Sequence, residues 1–146
     1  MKLAGKVAVV TGGARGLGRA YVLHLARIGA DVVVNDIDLD AAKEYGEELT
    51  APTVMDEVRA MGRRSLGIQA DVADQKQVNA MFDQVLAEFG HVDILVNNAG
   101  GALVRGDSMA STISEADFKK MMDINFWGTV FCCQAAAKPM KAQRSG

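Results

Sequence analysis

The sequence from residue 6 to residue 18 reads Lys6-Val-Ala-Val-Val-Thr-Gly-Gly-Ala-Arg-Gly-Leu-Gly18. Its first part is apolar and mostly β-branched without polar alternation, which is typical of a strand buried on both faces of a parallel sheet. Four glycines then fall within seven positions. Beyond them, Tyr21, Leu25 and Ile28 recur at helical spacing until Gly29, a residue suited to end a helix. The stretch therefore predicts a strand, a tight turn and a helix N-terminus in succession.

The glycine-rich turn predicts a binding site for an anion. Unpaired N–H groups at the start of a helix, together with the positive end of the helix dipole, favour a group such as a pyrophosphate. Gly12 permits a sharp exit from the strand, and Gly16 and Gly18 leave space for the ligand and for helix packing. The spacing differs from G-x-G-x-x-G, and the absence of a following Lys-Ser/Thr pair excludes a P-loop. By itself the turn could also be an ordinary glycine-rich connection.

Three more apolar runs predict further strands of the same sheet. They cover residues 31–36, 65–70 and 92–96, and helices are predicted between them. Because crossovers between parallel strands are right-handed, this alternation predicts an α/β fold, a doubly wound parallel sheet with helices on both faces. A chain of 146 residues is long enough to form one such domain with a buried core.

The connections between the strands carry helix signals of different strength. The long connection after the second strand predicts a polar helix over residues 41–50 and another over residues 52–61. Asp74 is predicted to cap an amphipathic helix. Its apolar face comprises Val78, Met81, Phe82, Val85 and Phe89. Ser114 is predicted to cap a last helix that runs to about Lys138, and this helix is apolar on so much of its circumference that part of it is expected to face a partner helix.

Polar or glycine-rich segments follow each predicted strand. Residues 11–18 follow the first, Asp36 ends the second, Asp71 and Val72 follow the third, and residues 97–101 follow the fourth. In sheets of this kind, ligands bind at the carboxyl ends of the strands. The four segments therefore predict a single binding site at one edge of the sheet.

Asp36 lies about 20 residues after the glycine-rich turn, where dinucleotide-binding folds place an acid that binds the adenosine ribose. A carboxylate there accepts both ribose hydroxyls and repels a 2′-phosphate, which favours NAD over NADP. Alternatively, Asp36, Asp38 or Asp40 could simply cap the next helix. Arg15 favours the opposite cofactor, since a guanidinium beside the turn could hold a 2′-phosphate, although it could equally be a solvated turn residue.

Composition excludes several other classes of function. Sixteen basic and eighteen acidic residues give a net charge of −2 without a basic cluster, so neither nucleic acid nor an anionic membrane is an expected partner. The sequence has no apolar run of ~20 residues and no signal peptide. Cys132 and Cys133 are expected to be reduced core residues. Together these observations predict a cytoplasmic protein. No metal site is predicted, because no His, Cys or Asp cluster has ligand spacing. His24 and His91 lie away from the predicted binding edge and are expected to be surface or packing residues.

Four motifs together resemble the short-chain dehydrogenase/reductase family. They are Thr11-Gly-Gly-Ala-Arg-Gly-Leu-Gly18, Asp71-Val72, Asn97-Asn-Ala-Gly100 and Asn125, and they occur in the family's order over nearly the whole chain. The resemblance implies that residues 1–146 form a single NAD(P)-binding domain of the Rossmann type. It also implies that this sequence holds about four of the usual seven strands, and that the protein forms a homo-oligomer.

The resemblance assigns roles to individual residues. The implied cofactor contacts are Gly12, Arg15, Gly16, Leu17 and Gly18 for the pyrophosphate and adenosine, Asp36 and Ile37 for the ribose, Asp71 and Val72 for the adenine, and Asn98, Ala99 and Gly100 beside the fourth strand. Asn125 matches the family's catalytic Asn, which holds a proton-relay water. Asn97 is expected to bridge neighbouring strands. Only the loop at residues 101–113 is expected to line a substrate pocket.

The implied activity is hydride transfer between NAD(H) and a small alcohol or ketone. Such enzymes also use a Ser and a Tyr-x-x-x-Lys motif for proton transfer. Neither Tyr21 nor Tyr45 has a Lys four positions later, so we expect a chain that is truncated before this segment and inactive alone. Two alternatives are a module that binds NAD without catalysis, and an interaction fragment whose open strand edge pairs with another chain.

Overall fold

The structure, a computed structural model, describes residues 1–102 and 109–146. Within them, four strands form one parallel sheet in the order β3-β2-β1-β4. The strands are β1 (Val7–Thr11), β2 (Asp31–Asp36), β3 (Ser65–Gln69) and β4 (Ile94–Val96). The predicted doubly wound α/β fold is therefore confirmed, with the order of the strands reversing beside β1.

Helices cover both faces of this sheet. They are α1 (Gly16–Arg27), α2 (Ala41–Glu44), α3 (Val54–Ala60), α4 (Gln75–Phe89), α5 (Glu115–Met122) and α6 (Gly128–Gln143), with a π-helical turn at Asp123–Trp127 between the last two. No helix in the described ranges is long and apolar enough to cross a membrane. Residues 103–108 of the loop that we expected to line a substrate pocket lie outside the described residues.

Strand β1 is the centre of the core, because every one of its residues is buried. Val7 and Val9 pack with α4 and α6 on one face of the sheet. Ala8 and Val10 pack with α1 and α3 on the other face. This two-sided burial explains why the strand reads as an unbroken apolar run.

The helix predicted after the turn is confirmed as α1, but its buried side is not the one marked by Tyr21, Leu25 and Ile28. The helix buries Gly18, Val22 and Ala26, whereas Tyr21 is 43% exposed. These small residues recur four apart, so they form a stripe that lets the helix axis approach β1 closely. The larger side chains consequently lie on the flanks of the helix, where Leu25 is only partly buried.

The helix predicted over residues 41–50 is also too long, since α2 ends after Glu44. The chain then turns through Gly46, whose φ of 69° is in the left-handed region, and the following segment is held by side-chain contacts rather than by helical hydrogen bonds. The next helix begins after Thr53, whose hydroxyl accepts a hydrogen bond from the Asp56 N–H. It is therefore shorter than the predicted range of 52–61.

The predictions for α4 and for the start of α5 are confirmed. Asp74 caps α4 by accepting from the N–H groups of Lys76 and Gln77, and the five predicted apolar residues of α4 are buried. Ser114 caps α5 by accepting from the Asp117 N–H. The final helical stretch continues to Gln143, beyond the predicted end at residue 138. Several of its apolar side chains are exposed, namely Phe118, Met122, Phe126 and Trp127.

The two adjacent cysteines should react at very different rates. Burial, with a smaller contribution from its neighbour, raises the pKa of the Cys132 thiol to about 12, whereas Cys133 is exposed. An ordinary thiol is partly ionised at roughly pH 8. With Ellman's reagent at that pH, we expect Cys133 to react at once and Cys132 only after the chain unfolds. Cys133→Ala should remove the fast phase and Cys132→Ala the slow one, and equal rates in the native chain would contradict the prediction.

Candidate functional site

A cavity of about 650 Å³ lies at the carboxyl ends of the strands. Every residue that the sequence assigned to cofactor binding lines it. These are Gly12, Arg15, Gly16, Leu17, Gly18, Asp36, Ile37, Asp71, Val72, Asn98, Ala99 and Gly100. The cavity is located where the strand order reverses, which is the usual ligand site of a doubly wound sheet.

The glycine-rich turn has the close approaches that its sequence predicts. Gly12 has a φ of 62°, and a Cβ built on it would lie 2.9 Å from the Ala99 Cα. A Cβ on Gly18 would overlap the carbonyl oxygen of Gly12. Both positions therefore require glycine, because any side chain would push the turn away from the fourth strand or from α1.

Thr11 and Asn98 connect the turn to the end of β4. The Thr11 hydroxyl accepts hydrogen bonds of 3.1 Å from the N–H groups of Asn98 and Ala99. In return, the Asn98 side-chain amide donates to the carbonyl oxygens of Thr11 at 3.1 Å and Gly12 at 3.0 Å. Asn98 thus borders the cavity while it fixes the position of the turn.

The prediction that Asn97 bridges neighbouring strands is wrong, since Asn98 makes that connection. The Asn97 amide instead donates to the Cys133 Sγ at 3.3 Å, on the side of α6. Successive side chains of an extended segment point to opposite sides, so only one member of this Asn pair can face β1.

Asp36 faces the turn from the end of β2. Its Oδ2 accepts from the Ala14 N–H at 3.1 Å and its Oδ1 accepts from the Asp38 N–H at 3.3 Å. The alternative role as a helix cap is not observed for α2, where the N-cap residue Asp40 makes no side-chain capping hydrogen bond. Asp71, another carboxylate of the cavity wall, accepts from the Ala73 N–H at 2.9 Å.

Arg15 is held by an aromatic ring. Its guanidinium carbon lies 3.9 Å from the centroid of the Tyr45 ring, a cation–π arrangement at the mouth of the cavity. Tyr45 and Lys120 both line the cavity, and the sequence interpretation did not include them. Tyr45 lies nine residues after Asp36 and Lys120 five residues before Asn125, and no spacing rule links either of them to the turn.

Asn125 lies in the π-helical turn and packs against the end of the fourth-strand motif. Its Oδ1 accepts from the Gly101 N–H at 2.8 Å, and its Nδ2 donates to the carbonyl oxygens of Gly101 at 3.0 Å and Met121 at 2.9 Å. Single π-helical turns occur frequently at functional sites, because they redirect side chains and carbonyl groups. Asn125 is not among the residues that line the cavity, although it contacts Gly101 beside the lining residue Gly100. Its role with a proton-relay water stays a prediction.

These features define a doubly wound α/β domain with a ligand cavity at its switch point. The family model described as short chain dehydrogenase matches residues 6–146. The chain belongs to the short-chain dehydrogenase/reductase family, as its motifs predicted. Among curated proteins, it is 47% identical over 150 residues to a cyclohexanol dehydrogenase from Rhodococcus sp. (strain TK6), an alignment that covers 100% of this chain and 56% of that protein.

Among solved structures of the same fold, one contains NAD+ and another contains NADP. An NAD+-bound xylitol dehydrogenase superposes with a TM-score of 0.86 at 27% identity, over 100% of this chain and 52% of that one. A metagenomic short-chain oxidoreductase in complex with NADP gives a TM-score of 0.84 at 30% identity, over 100% of this chain and 61% of that one. The chain spans about half the length of the curated relatives it matches.

Proposed function

We propose that this chain is the cofactor-binding part of an oxidoreductase that transfers hydride between NAD(H) and an alcohol or ketone. The convergence of all the predicted cofactor residues on one cavity carries this proposal. The N-terminus of α1, where Leu17 and Gly18 lie, suits the pyrophosphate, and Asp36 suits the adenosine ribose. NAD, when bound, would accept or donate the hydride, and the protein positions it.

The proposed preference for NAD over NADP rests on Asp36. Its carboxylate lies at the end of β2 and accepts the Ala14 N–H, so it holds a negative charge beside the turn. A 2′-phosphate placed there would meet this charge at short range, whereas a 2′-hydroxyl can donate a hydrogen bond to it. Arg15 is the opposing cation, but its guanidinium stacks on Tyr45.

We further propose that residues 1–146 alone do not turn over substrate. The sequence contains no Tyr-x-x-x-Lys motif, so the proton-transfer group that the family uses is missing. The same absence supports a second candidate function, a module that binds NAD without catalysis.

The cytoplasmic location, the homo-oligomer and the small alcohol or ketone substrate stay proposals. The exposed apolar side chains of the last helical stretch, including Phe126 and Trp127, support association with another chain.

Isothermal titration of the chain with NAD and NADP tests the cofactor proposal. We expect NAD to bind at least about tenfold more tightly, a difference of roughly 1.4 kcal/mol. Asp36→Asn should reduce this preference, because it keeps the side-chain shape and removes the charge. Asp40→Asn, an exposed carboxylate outside the cavity wall, is the matched control and should leave the preference unchanged. Tighter binding of NADP, no binding of either dinucleotide, or appreciable alcohol oxidation by the chain alone would each contradict part of the proposal.

A further inference from the structure

A second carboxylate reaches the glycine-rich turn from the long connection between β2 and β3. The Glu47 Oε1 accepts from the Gly16 N–H at 2.6 Å, at the first residue of α1. Its other oxygen, Oε2, lies 3.3 Å from the Arg19 Nη1. The Glu47 side chain is 25% exposed, so its negative charge is only partly screened by water.

The position of Glu47 is fixed by the packing of its segment. Arg19 donates to the backbone carbonyl of Glu48 at 3.0 Å and to both carboxylate oxygens of Glu57, at 2.9 and 2.7 Å. The Glu57 oxygen Oε1 also accepts from the Thr50 N–H at 2.8 Å. Residues that follow Glu47 are thus attached, directly or through Glu57, to α1, the helix that follows the turn.

Asp36 and Glu47 place two negatively charged carboxylates beside two neighbouring backbone N–H groups of the turn. Asp36 accepts from the Ala14 N–H and Glu47 from the Gly16 N–H. Ala14 and Gly16 are two residues apart, so their Cα atoms lie within about 7.6 Å of each other. An adenosine ribose held by Asp36 would therefore lie beside the part of the turn that Glu47 also contacts.

The two arginines beside the turn are already engaged. Arg15, which lies between Ala14 and Gly16, stacks its guanidinium on Tyr45. Arg19 is bound by Glu57 and Glu47. A phosphate that entered this region would lose the Gly16 N–H as a donor and would approach two carboxylates.

We propose that Glu47 is a second determinant of cofactor choice, which disfavours a 2′-phosphate by charge repulsion and by occupying the Gly16 N–H. This inference rests on the proposed function, because it assumes that the cavity binds the adenosine half of a dinucleotide. Selectivity against a close analogue commonly depends on such a repulsive group as well as on attractive contacts. The determinant belongs to the long connection rather than to the glycine-rich motif.

The test compares two small probes that differ by the 2′-phosphate, 5′-AMP and adenosine 2′,5′-bisphosphate, by titration calorimetry on the full chain. Glu47→Gln keeps an oxygen acceptor for the Gly16 N–H and removes the charge. We expect it to tighten the bisphosphate by about tenfold and to change 5′-AMP by less than about twofold, which is the scale of one charge at this range in a partly solvated site. Glu48→Gln, an exposed neighbour, is the matched control and should change neither affinity.

A measurement on the unmodified chain supports the comparison. Because repulsion between partly exposed charges is partly screened by salt, the weaker binding of the bisphosphate relative to 5′-AMP should diminish between ~0.05 and ~0.5 M salt. If 5′-AMP binds and Glu47→Gln leaves the ratio of the two affinities unchanged, or if salt widens the difference, the inference about Glu47 is wrong and the cofactor site stands. If 5′-AMP does not bind the unmodified chain, the proposed function and the inference are both overturned.

Discussion

Replacing Arg19 with methionine should lower the free energy of unfolding by about 3–5 kcal/mol, the usual effect of leaving one member of a buried ion pair without its partner. The Glu57 side chain is 1% exposed, and Arg19 donates to both of its oxygens. Methionine fills similar space but donates no hydrogen bond, so the carboxylate would be buried with Thr50 as its only donor among the residues that the structure describes. Urea unfolding followed by circular dichroism measures the change.

Lys43→Met is the matched control, because Lys43 pairs with Asp40 at the surface, where both side chains are more than half exposed. A surface pair of this kind contributes about 0–1 kcal/mol. Equal losses of stability in the two variants would show that the Arg19–Glu57 pair is not held as the structure describes.

The pH dependence of the free energy of unfolding of Arg19→Met is a further test of the ion pair. Burial by itself raises the pKa of the Glu57 carboxyl, but hydrogen bonds from Arg19 and Thr50 outweigh burial and lower the pKa below its ordinary value of 4.5. Glu57 therefore stabilises the wild-type fold above that value, and the contribution is lost as pH falls through the lowered pKa. Without Arg19 the burial effect dominates, so the difference between wild type and variant should diminish on acidification.

Local sequence patterns were sufficient to predict the sheet and most of the cavity wall. An apolar run without alternation identified β1, and Asp74 with five apolar residues at helical spacing identified α4. The twelve predicted cofactor residues line one cavity because parallel strands all end at the same edge. Each of these inferences depends on residues close in sequence or on the topology of the fold.

Contacts between distant segments could not be predicted in this way. The attachment of residues 45–53 to α1 depends on Arg19, Glu47 and Glu57, which have no characteristic spacing. The choice between Asn97 and Asn98 depends on the direction of the chain after β4, and the buried face of α1 depends on how closely that helix approaches β1. In both cases tertiary packing overrides what hydrophobicity or motif position alone indicates.

Gly18→Ala should both destabilise the chain and weaken nucleotide binding. The added Cβ would overlap the Gly12 carbonyl oxygen and lie 2.7 Å from the Asn98 side-chain nitrogen, so the turn must move and the hydrogen bond between them must break. Overpacking of a tight site lowers the free energy of unfolding by about 1–3 kcal/mol. Losing one hydrogen bond between a backbone N–H and a charged phosphate costs about 1.5–3 kcal/mol, or roughly ten- to a hundredfold in affinity, which sets the scale for the expected loss of NAD or 5′-AMP binding.

Gly62→Ala is the control that separates displacement of the turn from the backbone strain that replacing a glycine can cause by itself. Gly62 has a φ of 75° at the end of α3 and no atom within 4 Å of a built Cβ, so its substitution introduces backbone strain alone. We expect this variant to lose about 1–2 kcal/mol of stability, the usual strain of a left-handed alanine, with unchanged 5′-AMP affinity. Gly18→Ala should lose affinity even under conditions where circular dichroism shows it fully folded, because the turn itself is displaced. A folded Gly18→Ala chain that binds 5′-AMP as tightly as wild type would mean that the nucleotide does not contact this turn.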